Sequence, residues 1–158
     1  ALEHRMEQDW LMSEKHLNKV NTFFYPIEPS TTPVLWYRGI AQFQQGKVDD
    51  ALDDFKSAHK VNPYHVHVIN NMATCYAKKG ELNKAIELYI EAVDRNGQFP
   101  DALENLLAVY LYQEEYQLAF DLINNSPLIE NGPGDIEARL IRARKKLIRS
   151  GKIKIEKP

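Results

Sequence analysis

Sliding the chain along itself by 34 residues lays like on like three times, and no other feature constrains the fold as strongly. Ala51, Ala85 and Ala119 coincide, as do Leu35, Ile69 and Leu103, then Phe55, Tyr89 and Ile123, while Gly46 meets Gly80. In the middle copy Ile69, Met72, Ala73, Tyr76 and Ala77 hold the i, i+3, i+4, i+7, i+8 spacing of one helical stripe. Leu82, Ala85, Ile86, Leu88, Tyr89 and Ala92 build a second stripe beyond Gly80. Two short helices hinged at a glycine cannot bury both stripes by themselves. Such a pair is stable when copies of it stack on either side.

With small residues where helices cross and Pro63 closing the unit, the pattern resembles the tetratricopeptide repeat over roughly residues 32–126. The resemblance implies an all-α, right-handed superhelical solenoid of three helix pairs, at residues 32–65, 66–99 and 100–126. Helices are expected near residues 33–45, 48–61, 65–79, 82–95, 100–113 and 116–125. Two departures stand out. Arg38 and Gln42 occupy first-repeat positions that hold Met72 and Tyr76, then Leu106 and Tyr110, in the later repeats. In the third repeat Glu114 replaces the hinge glycine, and Leu107 stands where Gly39 and Ala73 let helices approach, so wider packing is expected there.

The flanks read differently. Met6, Trp10, Leu17, Val20 and Phe24 mark one long amphipathic helix, and Pro26 and Pro29 then make residues 1–31 a helix plus a Pro-rich linker. An unpartnered guanidinium is costly to bury, so this helix is expected to fold back and supply polar groups to Arg38, with Trp10 and Phe24 packing beside it. Residues 127–158 read as a loop, a capping helix starting at Asp135 with Ile136, Leu140, Ala143 and Leu147 inward, and a basic tail. At 158 residues and 44% hydrophobic content the chain can bury the core of one domain. It opens inside a helical pattern without an initiating Met, as a processed or excised chain does, and no apolar run approaches the ~20 residues of a membrane span.

The search for chemistry yields no catalytic constellation, cofactor loop or metal site. His65 and His67 are the only close pair of histidines, and a two-residue step on a helix would send them to different faces. Asp49, Asp50, Asp53 and Asp54 lack a calcium loop's glycine turn and suit the positive end of a helix and a solvated outer face. Cys75 falls at a tightly packed position and reads as a structural thiol. Nine Arg and Lys lie between Arg139 and Lys157, which reads as a solvated cap or as a site for an anionic surface. A net charge of −2 and the absence of aromatic residues in that stretch argue against nucleic acid.

What remains is a binding surface for a protein or peptide. In this family the first helix of each pair lines the concave face. Here that face would draw on Trp36, Tyr37, Ile40 and Phe43, then Asn70, Asn71, Thr74 and Lys78, then Glu104, Asn105, Ala108 and Tyr112. Asn71 and Asn105 stand one period apart, and an Asn amide can pair with the backbone of an extended peptide, although Asn is also common at this position in the family. The family's clamp for the C-terminal carboxylate of heat-shock chaperones does not carry over, because its basic positions hold Trp36, Asp101 and Asn105. A second resemblance, carried by NPYHVHVINNMATCY after a long helix and a Pro-rich linker, is to repeat-containing tails of bacterial O-antigen ligase and polymerase-type membrane proteins. It implies, as the alternative, a regulatory or assembly tail in a membrane-tethered context, on the cytoplasmic or other soluble face.

Overall fold

Helix forms wherever the apolar steps alternate between three and four residues. The computed structural model describes Lys15, residues 34–132 and residues 134–154. The elements are α1 (Val34–Gln44), α2 (Val48–Val61), α3 (Val66–Lys78), α4 (Leu82–Arg95), α5 (Pro100–Tyr112), α6 (Tyr116–Asn124), α7 (Leu128–Asn131) and α8 (Gly134–Ser150). No strand occurs among the described residues. Apart from Lys15, the expected N-terminal helix, its linker and its docking lie outside them.

The 34-residue register is also a register of burial. Ala51, Ala85 and Ala119 are fully buried, and Phe55, Tyr89 and Ile123 are at most 2% exposed. Small side chains at the first set of positions let paired helices approach, and the larger set fills the space that the approach leaves. Contacts divide the chain inside α4 into two compact units, Ala1–Leu88 and Tyr89–Pro158. In a repeat protein each element touches only its sequence neighbours, so contact density has no single centre.

In the first unit Ala51, Leu52, Phe55, Ala58, Val68, Met72 and Cys75 form the core, with Leu35, Ile40 and Phe43 packed against it. Arg38 meets a carboxylate within its own repeat. Its Nε donates to Asp54 Oδ2 and its Nη2 to Asp54 Oδ1, both at 2.5 Å, so the first repeat supplies its own counter-charge. This corrects the reading of the acidic run as one solvated face. Asp49, Asp50 and Asp53 are exposed, but Asp54 falls on the same side of α2 as Ala51, Leu52, Phe55 and Ala58 and is 6% exposed. Lys79 Nζ reaches Asp49 at 2.6 Å and ties the end of α3 to the start of α2, an exposed pair of small energetic weight.

The three intra-repeat hinges share one hydrogen-bond pattern. Lys47, Glu81 and Glu115 donate from their backbone N–H to Gln42, Tyr76 and Tyr110 at 3.0, 2.9 and 2.9 Å. The residue before each is left-handed, with φ of 79° at Gly46, 79° at Gly80 and 60° at Glu114. The third hinge therefore keeps the turn and carries strain, since a side chain in that region costs about 1–2 kcal/mol. Glu114→Gly should raise stability by about 1 kcal/mol. A chemical-denaturation midpoint that falls instead would remove strain as the account of this hinge.

In the second unit α8 packs on α6 and α7 through Ile136, Leu140 and Leu147, all buried. The expected loop at residues 128–134 is partly helical. Ser126 Oγ accepts from Leu128 N at 3.2 Å and Pro127 takes the position before α7, which buries Leu128.

Candidate partner-binding surface

The face predicted from the first helices divides between the two units. In the first unit, α1 places Trp36 half-buried on the core and Tyr37 beside it, 50% exposed, with ring centroids 4.8 Å apart in an edge-on arrangement. The Trp36 Nε1–H is buried and meets no acceptor among the described residues. Ile40 and Phe43, also assigned to this face, pack against the core and are half-buried.

Sequence reasoning missed two neighbours of the indole. His65 and His67 were expected to diverge, yet their ring centroids lie 5.7 and 5.8 Å from Trp36 and 5.6 Å from each other. The reason is local. His65 is the N-cap of α3, with extended backbone, and its Nδ1 accepts from Val68 N at 3.4 Å, so a two-residue step across the helix start does not rotate the side chain as it would within the helix. The available signal was Asn62-Pro63, a turn pair whose Asn62 Oδ1 accepts from Tyr64 N at 3.2 Å and which sets the start of α3 beyond it. Burial, and then the neighbouring His67 charge, hold the His65 pKa below its ordinary value, so this imidazole resists protonation.

Along α3, Asn70 is buried and donates to Asn71 Oδ1 at 3.5 Å, while Asn71 is half-buried. Thr74 donates to its own helix at Asn70 O, and Lys78 is exposed. In the second unit, α5 carries Glu104, ion-paired with Arg139 at 3.0 Å, half-buried Asn105, exposed Ala108 and Tyr112 at 78% exposure. Cys75 is fully buried with its thiol pushed up to about 12, chiefly by burial and against the pull of Lys79. It is a packing residue, not a nucleophile. Among the described residues no group of three potential ligands could hold a metal ion, and no helix is long and apolar enough to cross a membrane.

Helix pairs in tandem, joined by left-handed hinges and with aromatic and amide side chains on their first helices, define a helical-repeat protein. The tetratricopeptide repeat family's profile matches residues 42–110, and the fold is that of tetratricopeptide repeat solenoids. Among curated proteins the chain is 32% identical over 85 residues to the Photosystem I assembly protein Ycf3 of Rippkaea orientalis, covering 51% of this chain and 49% of that protein. It is 31% identical over 95 residues to Ycf3 of Cyanophora paradoxa, covering 57% and 55%. The chain thus spans about half the length of the curated relatives it matches.

Solved structures share the fold. A tetratricopeptide repeat protein from Parabacteroides merdae superposes with a TM-score of 0.71 at 22% identity, over 90% of this chain and 55% of that one. The Yersinia enterocolitica secretion chaperone SycD, solved with a peptide of the translocator YopD, gives 0.66 at 19% identity over 74% and 92%. The first repeat domain of Spaghetti (RPAP3), solved with an HSP90 peptide, gives 0.63 at 20% over 77% and 99%.

Proposed function

We propose that the chain is a non-catalytic interaction module whose first-helix faces capture an extended segment of a partner protein, with the cluster around Trp36 as the anchor. One observation carries this reading. Among the described residues Trp36 keeps a buried indole N–H without an acceptor next to an exposed Tyr37, so a carbonyl arriving with a bound backbone would satisfy the donor while an apolar side chain covers the rings. Asn71 supplies a half-buried amide on the next first helix of the same unit.

The partner's chemistry follows from what surrounds the anchor. The chaperone-clamp positions hold Trp36, Asp101 and Asn105, which favours an internal segment with an apolar anchor over a carboxylate terminus. Relatives that bear the name of an assembly protein, and neighbours solved with peptides, support a role in bringing other proteins together. No observation favours the membrane-glycan tail as a second reading.

The test is capture of a partner from lysate by the purified chain and its variants. Trp36→Phe removes the N–H and keeps a smaller aromatic ring, and should weaken capture by at least the ~1–3 kcal/mol of a lost buried hydrogen bond. Trp36→Ala and Asn71→Ala should weaken it at least as much, while reversal of Lys145 and Lys146 leaves it unchanged. Full capture by Trp36→Ala would remove the anchor from this face.

A further inference from the structure

The basic residues of α8 are not one diffuse cap. Arg139 is held by Glu104 at 3.0 Å, Arg144 donates to Asn124 Oδ1 at 3.5 Å, and just beyond the helix Lys152 donates to Tyr116 Oη at 2.8 Å and lies over its ring. Arg142, Lys145, Lys146 and Arg149 are left. All four are exposed except for their share of the helix surface, and none makes an ion pair or side-chain hydrogen bond among the described residues. Their i, i+3, i+4, i+7 spacing places them on one stripe, and Ile136, Leu140 and Leu147, which are buried, lie on the opposite side of the helix.

The geometry points to this stripe as a docking surface for an anionic lipid bilayer. It spans two turns, about 10 Å along the axis, which matches the ~8–10 Å over which charges act together at physiological salt. The four cations therefore face one patch of headgroups, and the net charge of −2 on the chain does not screen them locally. Ile148, 41% exposed, stands beside the stripe and presents an apolar side chain at the depth of the headgroup boundary. The buried apolar face of α8 stays with the protein, so the helix lies on the membrane by charge and does not insert.

Nucleic acid offers phosphates too, but the stripe fits it less well. Residues 134–154 contain no aromatic side chain for a base to stack on, and an exposed isoleucine among cations gains nothing from a phosphate backbone. The stripe is independent of the Trp36 face, so vesicle binding and partner capture report separately on the two surfaces.

The experiment is cosedimentation of the purified chain with phosphatidylcholine vesicles with and without phosphatidylserine, at low and high salt. The chain should sediment with the anionic vesicles alone and be released by salt. Each of Arg142→Gln, Lys145→Gln, Lys146→Gln and Arg149→Gln should weaken binding about fivefold, and Lys60→Gln, an exposed lysine elsewhere, should not. The quadruple variant, its helicity checked by circular dichroism, should lose binding; the single variants decide the matter if it does not fold. Three results would overturn the proposal: no sedimentation with anionic vesicles, equal weakening by Lys60→Gln, or tighter capture by duplex nucleic acid in the same buffer.

Discussion

Asp54→Asn is expected to cost about 3 kcal/mol and to lower the melting temperature by on the order of 10 °C. The substitution keeps the volume and removes the charge that faces Arg38. Asp54 is 9% exposed at its side chain and Arg38 27%, so the pair sits where water screens little and an uncompensated guanidinium is expensive. The value lies toward the lower end for a buried pair because Arg38 is partly open and has further partners. Arg38→Met should cost a similar amount by leaving the carboxylate buried alone. The double variant Arg38→Met, Asp54→Asn should cost less than the sum of the two single ones, because neither charge is then left buried without its partner. Thermal unfolding of the four proteins measures the coupling. Additive losses would mean that the 2.5 Å contacts contribute no pairwise stability.

The same pair shows where reading the sequence reached its limit. The period of 34 residues placed every repeat helix to within one or two residues, because burial of one stripe per helix is a local property of the pattern. It also marked Arg38 as a charge on an apolar face. It did not name Asp54, since the partner lies 16 residues away on another helix and its side of α2 depends on where that helix begins. The histidines failed for a related reason. A position one residue before a helix start obeys loop geometry, so the expected divergence of His65 and His67 became convergence on Trp36. The face itself was legible as a set of first-helix positions; which members stay open was not, and Asn70 is buried while Tyr112 is exposed. Such differences come from packing between elements, which no single helix pattern contains.

The largest loss is expected for Phe55→Ala, about 3–5 kcal/mol, because the ring is 1% exposed at the centre of the first unit's core. Its neighbour explains why the loss should fall high in that range. A Cβ built on Gly39 would lie 2.6 Å from Phe55 Cε1 and 2.8 Å from Cδ1, so α1 and α2 meet with the ring pressed against bare backbone. Truncating the ring leaves a cavity that no side chain at position 39 can enter. The same trade is legible between the first and third repeats: where Gly39 becomes Leu107, the residue 16 positions on goes from Phe55 to the smaller Ile123. Gly39→Ala alone should therefore destabilise by about 1–3 kcal/mol, through overpacking against the ring. In the Phe55→Ala background its sign should reverse. The added methyl then fills space, and alanine gains close to 1 kcal/mol over glycine inside a helix. Denaturation midpoints of the two single variants and the double one measure this, and a Gly39→Ala effect of the same sign and size in both backgrounds would mean that the ring does not set the space at Gly39.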